Sequence, residues 1–192
     1  MRRIIAEIWR NNFKYSTRRV DLNRYCKDKE ELSRSLDLGS GTTPKNPFGA
    51  KEVYGLDICD VELDNIAKCD LALQDIPWES ASLDFITAFD LLEHIPRLVY
   101  INGVAKYSFI DLLSEVSRVL KSGGIFFAST PCYPHSSAFV DPTHVNFITS
   151  ETFPKYFAEP HNYANRYGFT GRFILREQYY QGDNLIVILE KR

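Results

Sequence analysis

The chain has 192 residues, of which 44% are hydrophobic and 25% are charged. This composition excludes a disordered tail, a coiled coil and a collagen-like chain, and the length suits one domain spanning residues 1–192. The 23 Lys and Arg residues nearly balance the 25 Asp and Glu residues. A nucleic-acid binder that depends on phosphate neutralisation is therefore also excluded.

No segment is apolar over the ~18 residues of a membrane span, and the N-terminus lacks the apolar core and cleavage site of a signal peptide. The four cysteines, Cys26, Cys59, Cys69 and Cys132, form no Cys-x-x-Cys pair. Because scattered thiols are typical of a reducing compartment, we expect a cytoplasmic protein with buried, unreactive cysteines.

Residues 1–34 are predicted to be a helical extension. Apolar residues recur there at helical spacing in two sets, and Asp21 precedes the second set as a helix cap. The two sets are Ile4, Ile5, Ile8 and Trp9, and then Leu22, Tyr25 and Cys26. We expect this apolar face to pack on the core, although the same face could cover the active site or form a homodimer.

From residue 35 onward the chain alternates between strand and helix patterns. An amphipathic helix is predicted over 109–120, and the basic, glycine-containing segment 121–124 ends it. Predicted strands cover residues 35–38, 52–56, part of 67–73, 83–89 and 125–130. Alternation of this kind predicts an α/β fold in which helices cover a parallel sheet.

The C-terminus departs from this alternation. Two β-rich runs, 172–180 and 185–190, are separated by the four turn residues 181–184. Turn residues between two strands predict a hairpin, so the parallel sheet is expected to end in an antiparallel pair.

The segment DLGSGT, residues 37–42, follows the first predicted strand. Gly39 and Gly41 let the backbone turn tightly and approach a ligand without a Cβ atom in the way. Asp57 ends the second predicted strand 20 residues after Asp37, where a carboxylate can accept both hydroxyl groups of an adenosine ribose. These features predict an adenosine-containing cofactor, but they do not separate nicotinamide, flavin and S-adenosylmethionine (SAM).

The order of the remaining motifs does separate these cofactors. The segments DLGSGTTP, VYGLDI, CDLALQDIPW, SLDFITAFDLLEHI and EVSRVLKSGGIFFASTP occur in that order and are followed by the terminal hairpin. In this order the chain resembles the class I SAM-dependent methyltransferases from about residue 35 to residue 192. The resemblance implies SAM as the cofactor. It also implies a Rossmann-like, doubly wound sheet of seven strands, mostly parallel, with an antiparallel C-terminal strand.

The resemblance also implies a cofactor site. In the family the glycine loop holds the methionine part of SAM, the acid after the second strand binds the ribose, and the position of Asp70 contacts adenine. Asp75 is the rival of Asp70 for that contact. Asp90 ends the fourth strand, where it would face the reactive methyl group and the acceptor, and Glu93 and His94 follow it. The implied cofactor residues are Asp37, Gly39, Ser40, Gly41, Asp57, Ile58, Asp70, Leu71 and Phe89.

The segment after the glycine loop departs from the family. Pro44 and Pro47 follow at once, and proline breaks a helix interior. We therefore expect the first helix of the family to be shortened or replaced by a loop, so that less of a helix N-terminus faces the cofactor.

Residues 131–171 follow the fifth predicted strand. They are predicted to be a substrate lid, because loops after the carboxyl ends of strands build the ligand crevice in this fold. Within them, DPTHVNFIT (141–149) resembles a bacterial branch of methyltransferase-like proteins that are suspected of acting on saccharides or envelope precursors. The aromatic residues Phe153, Tyr156 and Phe157 are expected to belong to the core rather than to stack on an acceptor.

Three lid residues, His135, Asp141 and His144, leave three interpretations open. They could ligate a divalent metal, include the base that takes a proton from the acceptor, or be structural. His94 could likewise be a base or could hold the loop after the fourth strand. We assign no metal ligand, and we order the candidate catalytic bases as His144, His135, His94 and Asp90.

The predicted function is in-line transfer of the SAM methyl group to an oxygen or nitrogen atom of a small-molecule or saccharide-type acceptor. A non-catalytic SAM-binding partner protein is the alternative, since it would share every cofactor motif. A nicotinamide-dependent oxidoreductase is less favoured. The third glycine of the dinucleotide fingerprint is missing, and the chain ends in a hairpin.

Overall fold

A computed structural model describes residues 20–26 and 32–192 of the chain. In chain order, the strands are β1 (Arg34–Leu38), β2 (Glu52–Asp57), β3 (Ile66–Lys68), β4 (Leu83–Phe89), β5 (Val99–Ile101), β6 (Val104–Lys106), β7 (Leu120–Pro131), β8 (Phe173–Gln181) and β9 (Asn184–Lys191). Seven of them form one sheet with the order β3-β2-β1-β4-β7-β9-β8, and β5 pairs with β6 in a separate hairpin.

The five strands from β3 to β7 in the large sheet run parallel. β9 lies between β7 and β8 and is antiparallel to both. The predicted Rossmann-like sheet, mostly parallel with an antiparallel C-terminal strand, is therefore confirmed. In β4 all residues before Phe89 are buried. A central strand covered on both faces needs a continuous rather than an alternating apolar run, which explains the sequence LDFITAF.

The predicted amphipathic helix is confirmed as α1 (Ser108–Val119). Its apolar stripe, Phe109, Leu112, Leu113, Val116 and Val119, is at most 5% exposed and belongs to the main core cluster. The helix ends one residue earlier than predicted. Leu120 takes an extended conformation and pairs with Leu83 in the sheet, so β7 begins there.

The crossover between β1 and β2 contains neither helix nor strand, which confirms that a loop replaces the family's first helix. The loop closes on itself through Asn46. The Asn46 side chain donates to the Ala50 carbonyl and accepts from the Ala50 N–H, both at 2.9 Å. A second helix, α2 (Ser137–Val140), is a single turn within residues 131–171, the segment that the sequence predicts to be a lid and that keeps this name below.

Three details differ from the sequence prediction. β3 is short, because the chain turns at Asp70, whose carboxylate accepts the Ala72 N–H at 3.0 Å. The C-terminal turn has two residues rather than four, with Gly182 at a φ of +61°. The β5–β6 hairpin was not predicted because its exposed residues show no core pattern. Its turn is Asn102-Gly103, both at positive φ, and this dipeptide was the available signal.

Within residues 20–26 the predicted cap and apolar face are confirmed. The Asp21 carboxylate accepts the Asn23 N–H at 3.0 Å at the start of a 3-10 turn, Leu22–Tyr25. Leu22, Tyr25 and Cys26 pack on a second core cluster. The helix predicted around residues 4–9 lies outside the described residues. Among those described, no helix is both long and apolar enough to span a bilayer.

The cysteine prediction is confirmed for two of its members. Cys69 and Cys132 are buried, and burial raises the pKa of the Cys132 thiol to about 11, which makes that thiol a poor nucleophile. For Cys59 the prediction is wrong. This residue is exposed because it lies in the loop that follows β2.

Candidate active site

The glycine loop, residues 39–42, leaves β1 at the carboxyl edge of the sheet. Gly39 and Gly41 adopt φ values of +68° and +55°, a region that favours glycine. The N–H groups of Gly39 and Ser40 both donate to the Leu56 carbonyl, at 2.8 and 3.0 Å, so the loop folds onto the end of β2. A Cβ atom at Gly41 would meet nothing within 4 Å, which leaves the backbone there open to a ligand.

Asp37 lies beneath this loop and is 2% exposed. Its carboxylate oxygens accept hydrogen bonds from the Thr87 hydroxyl at 2.6 Å and from the Lys45 N–H at 2.8 Å. Burial raises the pKa of Asp37, while both hydrogen bonds act to lower it. Asp37 thereby ties β4 to the segment that follows the glycine loop, a placement that suits a residue that orders this loop.

Asp57 ends β2 beside the glycine loop. Its Oδ2 accepts the Gly41 N–H at 2.8 Å, and its Oδ1 accepts the Cys59 N–H at 2.9 Å. A carboxylate has about four lone-pair sites, so both oxygens keep capacity for ribose hydroxyl groups. Ile58, next to it, is 63% exposed and offers an apolar surface that a purine ring could cover. The structure therefore brings together the two motifs from which an adenosine cofactor was predicted.

The turn after β3 lies beside Asp57, because the Cys69 N–H donates to the Asp57 carbonyl at 2.8 Å. Asp70 begins this turn, and its Oδ1 accepts one backbone hydrogen bond. The Leu71 side chain is buried in the core, and the rival Asp75 is exposed. Asp70 thus follows directly on the residue bonded to Asp57, and its carboxylate keeps unused acceptor capacity.

Gly55 is a residue that sequence reasoning missed. A Cβ atom at this position in β2 would overlap Ser40 Oγ and would lie 2.9 Å from Pro44 Cγ. Only glycine therefore lets the glycine loop pack directly onto β2. The signal was present in VYGLD, since a glycine inside a strand often marks the close approach of another backbone segment.

Phe89 ends β4, and Asp90 follows it, at the same edge of the sheet. The Phe89 ring lies 4.3 Å from Lys45 Nζ and contacts Phe127. Asp90 adopts a φ of +50°, which is uncommon for a residue other than glycine. Its N–H donates to the Ser129 carbonyl at 2.8 Å, and its carboxylate accepts from Asn184 Nδ2 at 2.7 Å. Asp90 is therefore held between β4, β7 and β9.

Glu93, His94 and His144 form a cluster just beyond Asp90. Each offers one ligand atom, and these atoms all lie within 4.8 Å of one another. Glu93 is 1% exposed and accepts the Thr130 hydroxyl hydrogen bond through Oε2 at 2.8 Å. Its Oε1 and the Nδ1 of His144 are buried without a hydrogen-bond partner among the described residues. Burial raises the pKa of Glu93. Glu93 was noted in the sequence but not assigned to the site.

The lid brings His144 to this position by docking on the turn after β4. The N–H groups of Val145 and Asn146 both donate to the Glu93 carbonyl at 2.9 Å. The Asn146 side chain is buried and donates to the Leu92 carbonyl at 3.0 Å. These bonds connect residues about 50 positions apart in the chain, so spacing alone could not reveal the cluster.

The remaining lid residues are separated by the structure. Asp141 stays near His144, with 3.9 Å between Oδ2 and Nε2, whereas His135 lies 3.3 Å from the Asp183 carboxylate at the β8–β9 turn. The Thr143 N–H and hydroxyl both donate to Asp141 Oδ1, and these hydrogen bonds lower the pKa of Asp141. Among the described residues, the potential metal ligands that meet are therefore Glu93, His94 and His144, not the set of His135, Asp141 and His144.

A pocket of about 590 Å³ opens beside the lid. It is lined by Arg97, Tyr107, Phe109, Ile110, Thr149, Glu151, Thr152, Lys155, Tyr156, Phe157 and Tyr167. The Arg97 guanidinium also donates to Asn146 Oδ1 at 2.8 Å, which connects the pocket wall to the residue that docks the lid. Phe153 and Phe157 are core residues as predicted, but Tyr156 is 45% exposed and was wrongly placed in the core.

Comparison with known proteins agrees with this geometry. Residues 36–128 match the family model described as a methyltransferase domain. No curated protein matches the chain in sequence.

Three solved structures illustrate the shared fold. A SAM-dependent methyltransferase from Mesorhizobium loti is 16% identical with a TM-score of 0.56, and the match covers 88% of this chain and 95% of that one. One from Archaeoglobus fulgidus is 16% identical with a TM-score of 0.55, covering 88% and 91%. Geranyl diphosphate C-methyltransferase from Streptomyces coelicolor, in complex with Mg²⁺, geranyl diphosphate and S-adenosyl-L-homocysteine, is 13% identical with a TM-score of 0.52, covering 83% and 74%.

The match of residues 36–128 to a methyltransferase domain and the order of the sheet support a SAM-dependent methyltransferase of class I. The donor set fits SAM. An open glycine backbone lies next to a carboxylate with free acceptor capacity and an exposed apolar side chain, as the methionine, ribose and adenine parts of SAM require.

Proposed function

We propose that this methyltransferase methylates a hydroxyl or amine group of a small, saccharide-type acceptor that binds under the lid. The observation that carries the proposal is the cluster of Glu93, His94 and His144, which stands directly after Asp90 at the carboxyl edge of the sheet. The neighbouring pocket supports the acceptor class, because tyrosine rings and charged side chains line it together. Such walls suit a sugar, which presents apolar faces and polar edges.

In this proposal SAM lies along the carboxyl edge of the sheet. Its methionine part faces residues 39–41, its ribose faces Asp57, and its adenine lies between Ile58 and Asp70. Phe89 and Asp90 then border the sulfonium and its methyl group. The acceptor approaches from the lid side, opposite the sulfur atom.

The chemistry needs little beyond alignment and removal of one proton. A lone pair of the acceptor oxygen or nitrogen forms the new bond to the methyl carbon. The carbon–sulfur bond breaks, and its electron pair stays on sulfur to give S-adenosylhomocysteine. The acceptor proton leaves at the cluster formed by Glu93, His94 and His144. Well-placed proton removal contributes about 10²–10⁴-fold in rate.

The test is methyl release from SAM across a panel of sugars, phenols and amines, with SAM binding measured separately by calorimetry. We expect turnover with a hydroxyl or amine acceptor, and we expect His144→Ala to lower it about 10²–10⁴-fold while SAM still binds. His161→Ala is the matched control, because His161 is exposed and lies outside the cluster. Equal rates for His144→Ala and the wild type would reject the role of the cluster. SAM binding without turnover on any acceptor would favour a non-catalytic binding protein.

A further inference from the structure

We propose that Glu93, His94 and His144 bind a divalent transition-metal ion. The role of this ion, which is to hold the acceptor atom next to the methyl group, rests on the proposed function. The binding site itself rests on geometry alone. Three side chains of the right chemistry offer ligand atoms within 4.8 Å of one another, and two of them carry buried polar atoms that lack a partner among the described residues.

The first of these atoms is Oε1 of Glu93. Its sister oxygen Oε2 is satisfied by the Thr130 hydroxyl at 2.8 Å, but Oε1 is buried and has no such bond. Buried carboxylate oxygens in folded proteins are nearly always paired, so an unpaired one needs an explanation. A cation supplies both the missing partner and the missing positive charge.

The second ligand is His94, and its tautomer follows from its neighbours. The Thr143 hydroxyl has one proton, which it donates to Asp141 Oδ1 at 2.7 Å. Its 3.0 Å contact with His94 Nδ1 must therefore be one in which Nδ1–H donates. In the neutral ring the lone pair is then on Nε2. Carboxylate-supported bonds of this kind orient metal-binding histidines in proteins.

The third ligand is His144, whose side chain is 9% exposed. Its Nε2 lies 3.9 Å from Asp141 Oδ2, which is too long for a hydrogen bond. Nδ1 is buried without a partner among the described residues, so this nitrogen is the one that needs a ligand. Asp141 thus supports His94 through Thr143 and places a negative charge near His144.

The ligand types select the metal. Two imidazoles and one carboxylate suit Zn²⁺, Mn²⁺, Fe²⁺ or Co²⁺ better than Mg²⁺ or Ca²⁺, which prefer oxygen ligands throughout. Bonds of about 2.0–2.2 Å place tetrahedral ligands roughly 3.4 Å apart, so the widest separation here must close by somewhat more than 1 Å. Three protein ligands leave a fourth position open for the acceptor. The site revises the sequence analysis, which assigned no metal ligand.

The experiment is titration of the chelator-treated full chain with Co²⁺ and with Zn²⁺, without SAM or acceptor. We expect one equivalent per chain, with visible Co²⁺ absorption bands that report nitrogen coordination. Glu93→Gln and His144→Ala should each weaken binding at least about 10-fold. Thr143→Val alters only an exposed hydroxyl, so it cannot disturb the core, and it should also weaken binding through His94. His161→Ala is the matched histidine control and should bind as the wild type does.

Less than one equivalent bound to the wild type, or equal affinity in the wild type and Glu93→Gln, would overturn the metal site. The two proposals can fail separately. Methyl transfer by a protein that binds no metal would support the proposed function and reject the metal site. Metal binding without any methyl transfer would support the metal site and reject the proposed function.

Discussion

Gly55→Ala should weaken cofactor binding although Gly55 itself need not touch the cofactor. The added Cβ would overlap Ser40 Oγ and lie 2.9 Å from Pro44 Cγ, so the glycine loop would have to move away from β2. Overpacking of this kind costs about 1–3 kcal/mol. If the loop must return to its position to bind SAM, that energy appears in the dissociation constant. At tenfold per 1.4 kcal/mol, SAM would bind about 5- to 140-fold more weakly.

Calorimetry with S-adenosylhomocysteine measures the change in affinity. Urea unfolding at the same pH shows whether the strain lowers the unfolding free energy instead. The double variant Ser40→Gly/Gly55→Ala is the matched control, because removing the Ser40 side chain removes the worst overlap and should restore part of the affinity. The reasoning is wrong if Gly55→Ala matches the wild type in both affinity and unfolding free energy. It is also wrong if the double variant shows no recovery.

Two further predictions concern side-chain hydrogen bonds, one buried and one partly buried. Thr87→Val removes the hydroxyl donor to Asp37, and a buried carboxylate that loses a donor should cost about 1–3 kcal/mol of unfolding free energy. Burial raises the pKa of Asp37 in the folded state, so its contribution to stability is complete below the unfolded pKa and is lost as pH rises through the folded value. The variant raises the pKa of Asp37 further. Its loss of unfolding free energy relative to the wild type should therefore be larger at pH 8 than at pH 4. A loss that does not depend on pH would contradict this prediction. Arg118→Lys should lower the unfolding free energy by about 1–2 kcal/mol in the same assay. The guanidinium bonds both Glu115 and the Ile76 carbonyl, each within 2.8 Å, and an ammonium group cannot replace that fork. An unchanged midpoint would refute this prediction.

The parallel strands, the antiparallel terminal pair and the nearness of the glycine loop to Asp57 could be predicted from the sequence. Buried parallel strands need continuous apolar runs, and these are visible in the residues themselves. The carboxyl ends of such strands meet at one edge, so DLGSGT and Asp57 were expected to be neighbours, and the Gly41 N–H does lie 2.8 Å from the Asp57 carboxylate. Pro44 and Pro47 also predicted the missing helix, since proline acts through local backbone geometry.

The cluster of Glu93, His94 and His144 was decided only by tertiary structure. His144 reaches His94 because two backbone N–H groups of the lid bond to the Glu93 carbonyl, about 50 positions earlier. No local pattern encodes such a contact. The same holds for Gly55, whose need for a bare backbone comes from Ser40 and Pro44 packing above it. Local propensity is a property of neighbouring residues, whereas side chains that meet across the fold do so only after the chain has packed.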